Sequence, residues 1–324
     1  MSRAERAQLD EVPTLWQLLA LSDNQLERTD LVAMNLAVAK EIPSLAELDI
    51  ARYSRLADEW TSRFRQELPG MEQRFHTTPQ NWKNDIRFFR VGMLQGFLGH
   101  IIGVRYIDEQ KHAKAVYYKN ASDLFLNGVI ETLQGTCGNM ATLHVAIARR
   151  MGWPVSLACA KTHLLSRFDD GQVVHNIEAT STHAGTFASD PDDEYIKRFN
   201  LPKKAVQCGS DLRRLTAREM LGVFVGLRAR HYHDAGDMDR ADSSYALARV
   251  LFPSHRDSCV RSLIPFLWRA DRLFDAGEKG NPDSIFEGLA PTIAPDVYYA
   301  HAPRPGVSIR AVSAAELADR AISF

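Results

Sequence analysis

Between Thr136 and Gly152 nearly every position is apolar or small, on all sides of a helix rather than along one stripe. That pattern predicts a helix buried from every direction. Thr136 stands where its hydroxyl can cap the first turn, and Gly152 with Pro154 supplies the stop. The period then changes. Residues 163–168 and 172–178 are β-rich and are separated by Asp-Asp-Gly, a hairpin signal. A two-residue turn at Asp170-Gly171, or a four-residue loop from Asp169 to Gln172, sets Asp169 opposite Gln172 and His163 opposite Glu178. Directly opposed residues have Cβ atoms about 4.5–5.5 Å apart, within reach of a His-carboxylate hydrogen bond. A three-residue loop would break the pairing.

Upstream, helical periodicity dominates: TLWQLLAL, DLVAMNLAVAKEI and SLAELDIARYSRLADEWTSRFRQEL, the last expected to end at Pro69-Gly70. Leu45, Leu48, Tyr53, Leu56 and Trp60 form one apolar stripe, read as core packing rather than a partner groove. The run 91–104 is apolar but too short to span a bilayer. Either it is helical, with Gly92, Gly96, Gly99 and Gly103 on one face, or Gly96 and Gly99 mark a loop.

Downstream, STHAGTFASDPDDEY is small and polar and is expected to be a loop bordering the end of the second strand. Between 222 and 255, Ala229, Tyr232, Gly236, Ala241, Tyr245, Ala248 and Pro253 fall at the signature spacings of one tetratricopeptide repeat. Its helices are expected over 216–235 and 238–252, turning at Gly236-Asp237; no second full repeat is evident. The tail after Gly277 holds several prolines and ends in a short amphipathic SAAELADRAISF.

With 324 residues the chain allows about two domains. A formal net charge of -1 argues against a nucleic-acid or anionic-membrane surface. The four cysteines show no paired C-x-x-C spacing and no disulfide-scaffold density, and MSRAERAQLDEVP has no apolar run of signal-peptide type. The expectation is a cytoplasmic protein. His231 and His233, two apart on a predicted helix, point in different directions, so no metal or other cofactor is expected.

The candidate chemistry sits where the two patterns meet. Cys137 falls at a helix N-terminus, where the dipole favours a thiolate. His163 opens a strand and Glu178 lies on its neighbour. Nucleophile, base and orienting group follow in that order. First-turn N–H groups can supply part of an oxyanion hole, with Gln134 as a side-chain candidate; Asn176, on the same face as Glu178, is the alternative orienter, and His183 the alternative base.

These residues resemble the transglutaminase-like cysteine hydrolase superfamily, with Glu-Ala-Thr at 178–180 standing where that superfamily usually has Asp-Pro-Thr. The blocks DLFLNGVIETLQGTC, ARRMGWPV, THLLSRF and NIEAT are similar to a bacterial branch with helices before the core and tetratricopeptide-like helices after it. The resemblance implies an α+β fold, mainly helical. A papain/transglutaminase-like core would pack the Cys-bearing helix on a small antiparallel sheet, and a helical repeat region would follow. The implied regions are 1–120, 121–208 and 209–324. The implied activity is cysteine-dependent amide hydrolysis or acyl transfer on a peptide or protein substrate. The alternative is an inactive scaffold that binds a protein or peptide partner through its repeat helices.

Overall fold

The computed structural model describes residues 13–110, 116–181 and 189–263. His183, most of its loop and the C-terminal tail lie outside them. The described chain is mainly helical with a three-stranded antiparallel sheet, an α+β architecture.

Three short helices, α1 (Leu15–Ala20), α2 (Asp23–Arg28) and α3 (Leu31–Ala39), lead into α4 (Ile50–Thr77). Each of the first three starts at a polar N-cap (Thr14, Ser22, Asp30), and the Ser22 and Asp30 caps follow within two residues of the ends of α1 and α2. α4 corrects the expected stop at Pro69-Gly70. The helix runs through Pro69, although a proline inside a helix costs about 3 kcal/mol in a missing hydrogen bond and a clash. Buried Leu68 on one side and the Phe75–Phe89 ring contact on the other hold the two halves in line. The run that begins at Ser44 is not helical from its start: residues 43–45 form a 3₁₀ turn, and Asp49 caps α4.

α5 (Ile86–Gly96) passes into a π-helical turn, Phe97–Ile102, that ends at Gly103 with φ +92°. The apolar run is therefore neither a uniform helix nor a loop. β1 (Arg105–Tyr106) pairs in parallel with β2 (Gln134–Gly135), and α6 (Leu126–Thr132) lies before β2.

α7 (Cys137–Arg150) is the expected buried helix. Leu143, Val145, Ala146, Ile147 and Ala148 are all inaccessible, and truncating such a leucine or isoleucine costs about 2–5 kcal/mol. Gly152 (φ +78°) stops it, with the Trp153 N–H returning to the Ala148 carbonyl. The sheet follows in order β3 (Val155–Ala160), β4 (His163–Asp169), β5 (Val174–Ile177).

Both sheet faces are covered. Leu157, Cys159, Leu164, Phe168 and Ile177 join the main core, and Ser166 Oγ donates to the Ala141 carbonyl of α7 at 3.1 Å. On the opposite face Ala158, Ala160 and Leu165 meet Tyr195 of α8 (Asp192–Phe199) with Leu201 and Leu212. α8 corrects the expected loop through Tyr195: Asp192, Asp193 and Glu194 occupy its first turn, where acidic side chains favour a helix start. The free edge of β3 is closed by the chain after α9 (Lys203–Gln207), through Leu212 N–H to the Cys159 carbonyl and Leu215 N–H to the Leu157 carbonyl.

The last described residues form an antiparallel helical hairpin, α10 (Ala217–Asp234) and α11 (Met238–Leu251), then α12 (Arg256–Arg261). Thr216 and Glu219 form a capping box on α10, and Gly236 (φ +85°) makes the turn. One hydrophobic cluster runs from Leu15 to Phe252, so the N-terminal helices, the sheet and the hairpin share a core. Among the described residues no helix is long and apolar enough to cross a membrane.

Candidate active site

The hairpin register differs from the expected one. Asp169 pairs with Val174, and Ser166 with Ile177, so the loop spans residues 170–173. The cause is local. Asp170 Oδ1 accepts the N–H groups of Gln172 (2.9 Å) and Val173 (3.0 Å), and Asp169 Oδ1 accepts that of Gly171 (φ +81°). These side-chain turns absorb two residues that a tight turn would have left in the strand.

Glu178 is consequently not opposite His163. It lies one residue beyond β5, and continuing the ladder would set it against Leu165. A slip of two residues, unlike a slip of one, keeps every side chain on its face. Glu178 therefore reaches His163 diagonally: His163 Nε2 donates to Glu178 Oε2 at 2.7 Å. Both groups are mostly buried, with side chains 14% and 7% exposed. Thr180 holds the other carboxylate oxygen through its hydroxyl (2.6 Å), and Gln95 Nε2 on α5 donates to the Glu178 carbonyl (2.7 Å).

Cys137 meets the same imidazole from the other side. Gly135, Thr136 and Asn139 set its position: Asn139 Oδ1 accepts the Thr136 N–H at 2.7 Å, and the Thr136 hydroxyl donates to the Asp123 carbonyl at 2.9 Å. A side chain at Gly135 would force its neighbours to shift, since a Cβ would lie 2.5 Å from Asn139 Oδ1 and 2.7 Å from Met140 Cγ. The half-buried Cys137 thiol is in hydrogen-bond contact with His163 and with the Leu164 N–H. Since Nε2 is held by Glu178, Nδ1 is the ring nitrogen left for sulfur.

The electrostatics follow from these contacts. Burial opposes ionisation of Cys137, but the hydrogen bond and charge of His163 overcome it and hold the thiol below its ordinary range. Burial likewise opposes the imidazolium, yet its bonds to Cys137 and Glu178 raise the His163 pKa. Glu178 is lowered: burial is outweighed by His163 and Thr180. The favoured state is a thiolate–imidazolium–carboxylate row.

Several neighbours had no signal in the sequence. Phe199 stacks on the His163 ring (5.2 Å between centroids, 15° between planes), and Tyr195 stacks on Phe199. Tyr106, paired with Gly135, has its phenol pushed up to about 12 by burial and then by the Cys137 and Glu178 charges. Tyr118 lines the cleft beside Cys137. Its N–H donates to Asp234 Oδ2 (2.8 Å), its carbonyl bonds His231 Nδ1 (3.0 Å), and its ring lies under the Arg230 guanidinium. Their long sequence separation from Cys137 hides all of them from pattern reading.

Two expected contributors stand elsewhere. Asn176 accepts from Arg167 Nη1 (2.6 Å) and donates to Asp192 Oδ1 (2.7 Å), which clamps α8 to the sheet; its side chain is committed away from His163. Gln134 pairs its backbone with Arg105, and it is absent from the lining of the cleft at Cys137. That cleft lies between the start of α7, the Lys161–Thr162 turn and, across from them, Val223, Arg230, His255 and Arg261 of the C-terminal helices. Among the described residues no group of three or more His, Cys, Asp or Glu could hold a metal ion.

Comparison with protein-family models, curated proteins and solved structures finds no match for this chain.

Proposed function

We propose that this protein is a cysteine-dependent amide hydrolase or acyl transferase of transglutaminase-like type. Cys137 is the nucleophile, His163 the proton carrier and Glu178 the orienting carboxylate. The observation that carries this reading is the continuous row in which one imidazole joins a partly accessible thiol to a buried carboxylate 2.7 Å away.

The thiolate attacks an amide or ester carbonyl, and its electron pair forms the C–S bond while the carbonyl pair moves onto oxygen. The N–H groups of Cys137 and Gly138, free of helical acceptors in the first turn, are the donors for that oxyanion. The His163 imidazolium gives its proton to the departing amine as the C–N bond breaks, leaving an acyl-thioester. Neutral His163 then takes a proton from water or from an acceptor amine, which attacks the thioester and releases the thiolate. Glu178 keeps Nε2 bonded throughout, so Nδ1 stays aimed at sulfur. The helical hairpin, read as a tetratricopeptide-like unit, forms the far wall of the cleft and touches a peptide or protein substrate there.

The test is a panel of peptide, glutamine-donor and ester substrates assayed with wild type, Cys137→Ala and His163→Ala. Cys137→Ala is expected to abolish turnover with folding nearly intact, and His163→Ala to lower it about 10²- to 10⁴-fold. Turnover unaffected by Cys137→Ala contradicts the mechanism.

A further inference from the structure

Beside the triad, the cleft at Cys137 is lined by charged side chains that the chemistry does not need. Lys161, Arg230 and Arg261 line it, against a single lining carboxylate, Asp257. Arg230 is already committed: Nε donates to Asp234 Oδ2 (2.6 Å) and Nη2 to the Val116 carbonyl (2.9 Å). Arg261 is different. It is 6% exposed, and both of its hydrogen bonds to Asp257, at 2.9 and 3.0 Å, come from Nε alone. Among the described residues its two Nη groups have no acceptor. Those donors are left for an acceptor that enters the cleft.

Lys161 adds the missing charge. It sits at the left-handed position of the β3–β4 turn (φ +58°), two residues before His163, and the turn is fixed by Asp211 Oδ1 accepting the Lys161 N–H at 3.1 Å. Its ammonium has no ion pair among the described residues, and its near neighbour in charge is another cation, Arg256. With Arg230 paired to Asp234 and Arg261 to Asp257, Lys161 is a lining cation without an acidic partner among the described residues.

We propose that the cleft selects acyl substrates carrying a carboxylate beside the scissile carbonyl, received by the Arg261 Nη groups and the Lys161 ammonium. This rests on the reading of Cys137 as the nucleophile. A planar carboxylate matches the two-pronged guanidinium edge, and the Lys161 ammonium repels a cationic group placed beside it. Specificity is thereby set by the C-terminal helices and the β3–β4 turn, which face each other across the cleft.

The experiment measures alkylation rates of each cysteine in the full chain, mapped by mass spectrometry, with two matched pairs of probes: iodoacetate against iodoacetamide, and N-iodoacetylglycine against its amide. The His163 imidazolium favours anionic probes in every variant that retains it, so the informative quantity is the change in the anionic-to-neutral ratio at Cys137. Wild type is expected to show a ratio of about ten or more, falling at least about threefold in Lys161→Gln and collapsing as salt is raised. Arg261→Met leaves Asp257 buried without its partner, so it is combined with Asp257→Asn, and the double variant is expected to lose the preference for N-iodoacetylglycine. If Cys137 labels fast but the ratio is unchanged in Lys161→Gln and the double variant, carboxylate selection is overturned while the nucleophile reading stands. If Cys137 labels no faster than Cys159, Cys208 and Cys259, the nucleophile reading fails and this inference fails with it.

Discussion

The β4–β5 hairpin carries a His–carboxylate pair at each end, and the two are built for different work. At the open end His163 Nε2 meets Glu178 at 2.7 Å; at the turn end His175 Nε2 meets Asp85 at 3.0 Å. Asp85 is shared with a permanent cation: Arg87 donates to it through Nε (2.9 Å) and through its backbone N–H (2.8 Å). Although burial raises it, those bonds and that from His175 hold the Asp85 carboxyl at about 2. Arg87 also reaches Asp170, so this end is a clasp between the start of α5 and the hairpin loop. Among the described residues no such cation is bonded to Glu178. Its carboxylate there also meets neutral Thr180, so its charge is directed at His163, whose other nitrogen faces a thiol. A histidine beside a buried carboxylate is therefore not a site by itself. The distinction lies in what else each group touches.

The sharpest way to break this comparison is to neutralise both acids. Glu178→Gln is expected to slow turnover about 10- to 100-fold by releasing the imidazole, a smaller loss than removing Cys137 or His163. Asp85→Asn is expected to leave turnover within about twofold. Equal rate losses in steady-state assays would show that the two pairs are not distinct.

Gly135→Ala probes how the thiol is placed. The new methyl group drives into Asn139 and Met140, so about 1–3 kcal/mol of stability is expected to be lost, with slower labelling of Cys137. Normal thermal unfolding and labelling would mean the cap does not set the thiol's position.

Asp85 gives a pH signature. Its folded pKa lies below the ordinary carboxylate value, so its contribution is present above about pH 4 and is lost as pH falls toward 2. The amount is about 1–2 kcal/mol. Denaturant unfolding between pH 5 and 2 is expected to show that loss in wild type and a flatter profile in Asp85→Asn; parallel curves would remove Asp85 from the clasp.

The smallest effect on rate is expected from Asn176→Ala. It loosens the Arg167–Asp192 clamp at a cost of about 1 kcal/mol but leaves turnover within about twofold, since its side chain does not face His163. A rate loss matching that of Glu178→Gln would make Asn176 the orienter after all.

What was legible in the sequence was whatever local chemistry decides. The all-round apolar run and Thr136 marked α7, and Thr216, Gly236 and the small-residue spacing marked the α10–α11 hairpin. The hairpin of β4 and β5 was legible as an element but its register was not, because Asp169 and Asp170 bind loop N–H groups and lengthen the turn by two residues. The face of Glu178 survived because that change is even. The path of α4 through Pro69 was illegible since tertiary packing outweighed a strong local stop signal. Gln95, Phe199, Tyr118 and Arg261 reach the site from distant segments, and no spacing rule connects them to Cys137.

The central claim, that Cys137 and His163 form an ion pair held by Glu178, is tested most directly by titrating thiolate ultraviolet absorbance in wild type minus Cys137→Ser. The account predicts a difference curve whose midpoint lies well below the ordinary thiol value of about 8.5. It also predicts that His163→Ala moves that midpoint upward. A midpoint at or above the ordinary value, unchanged by His163→Ala, would contradict it.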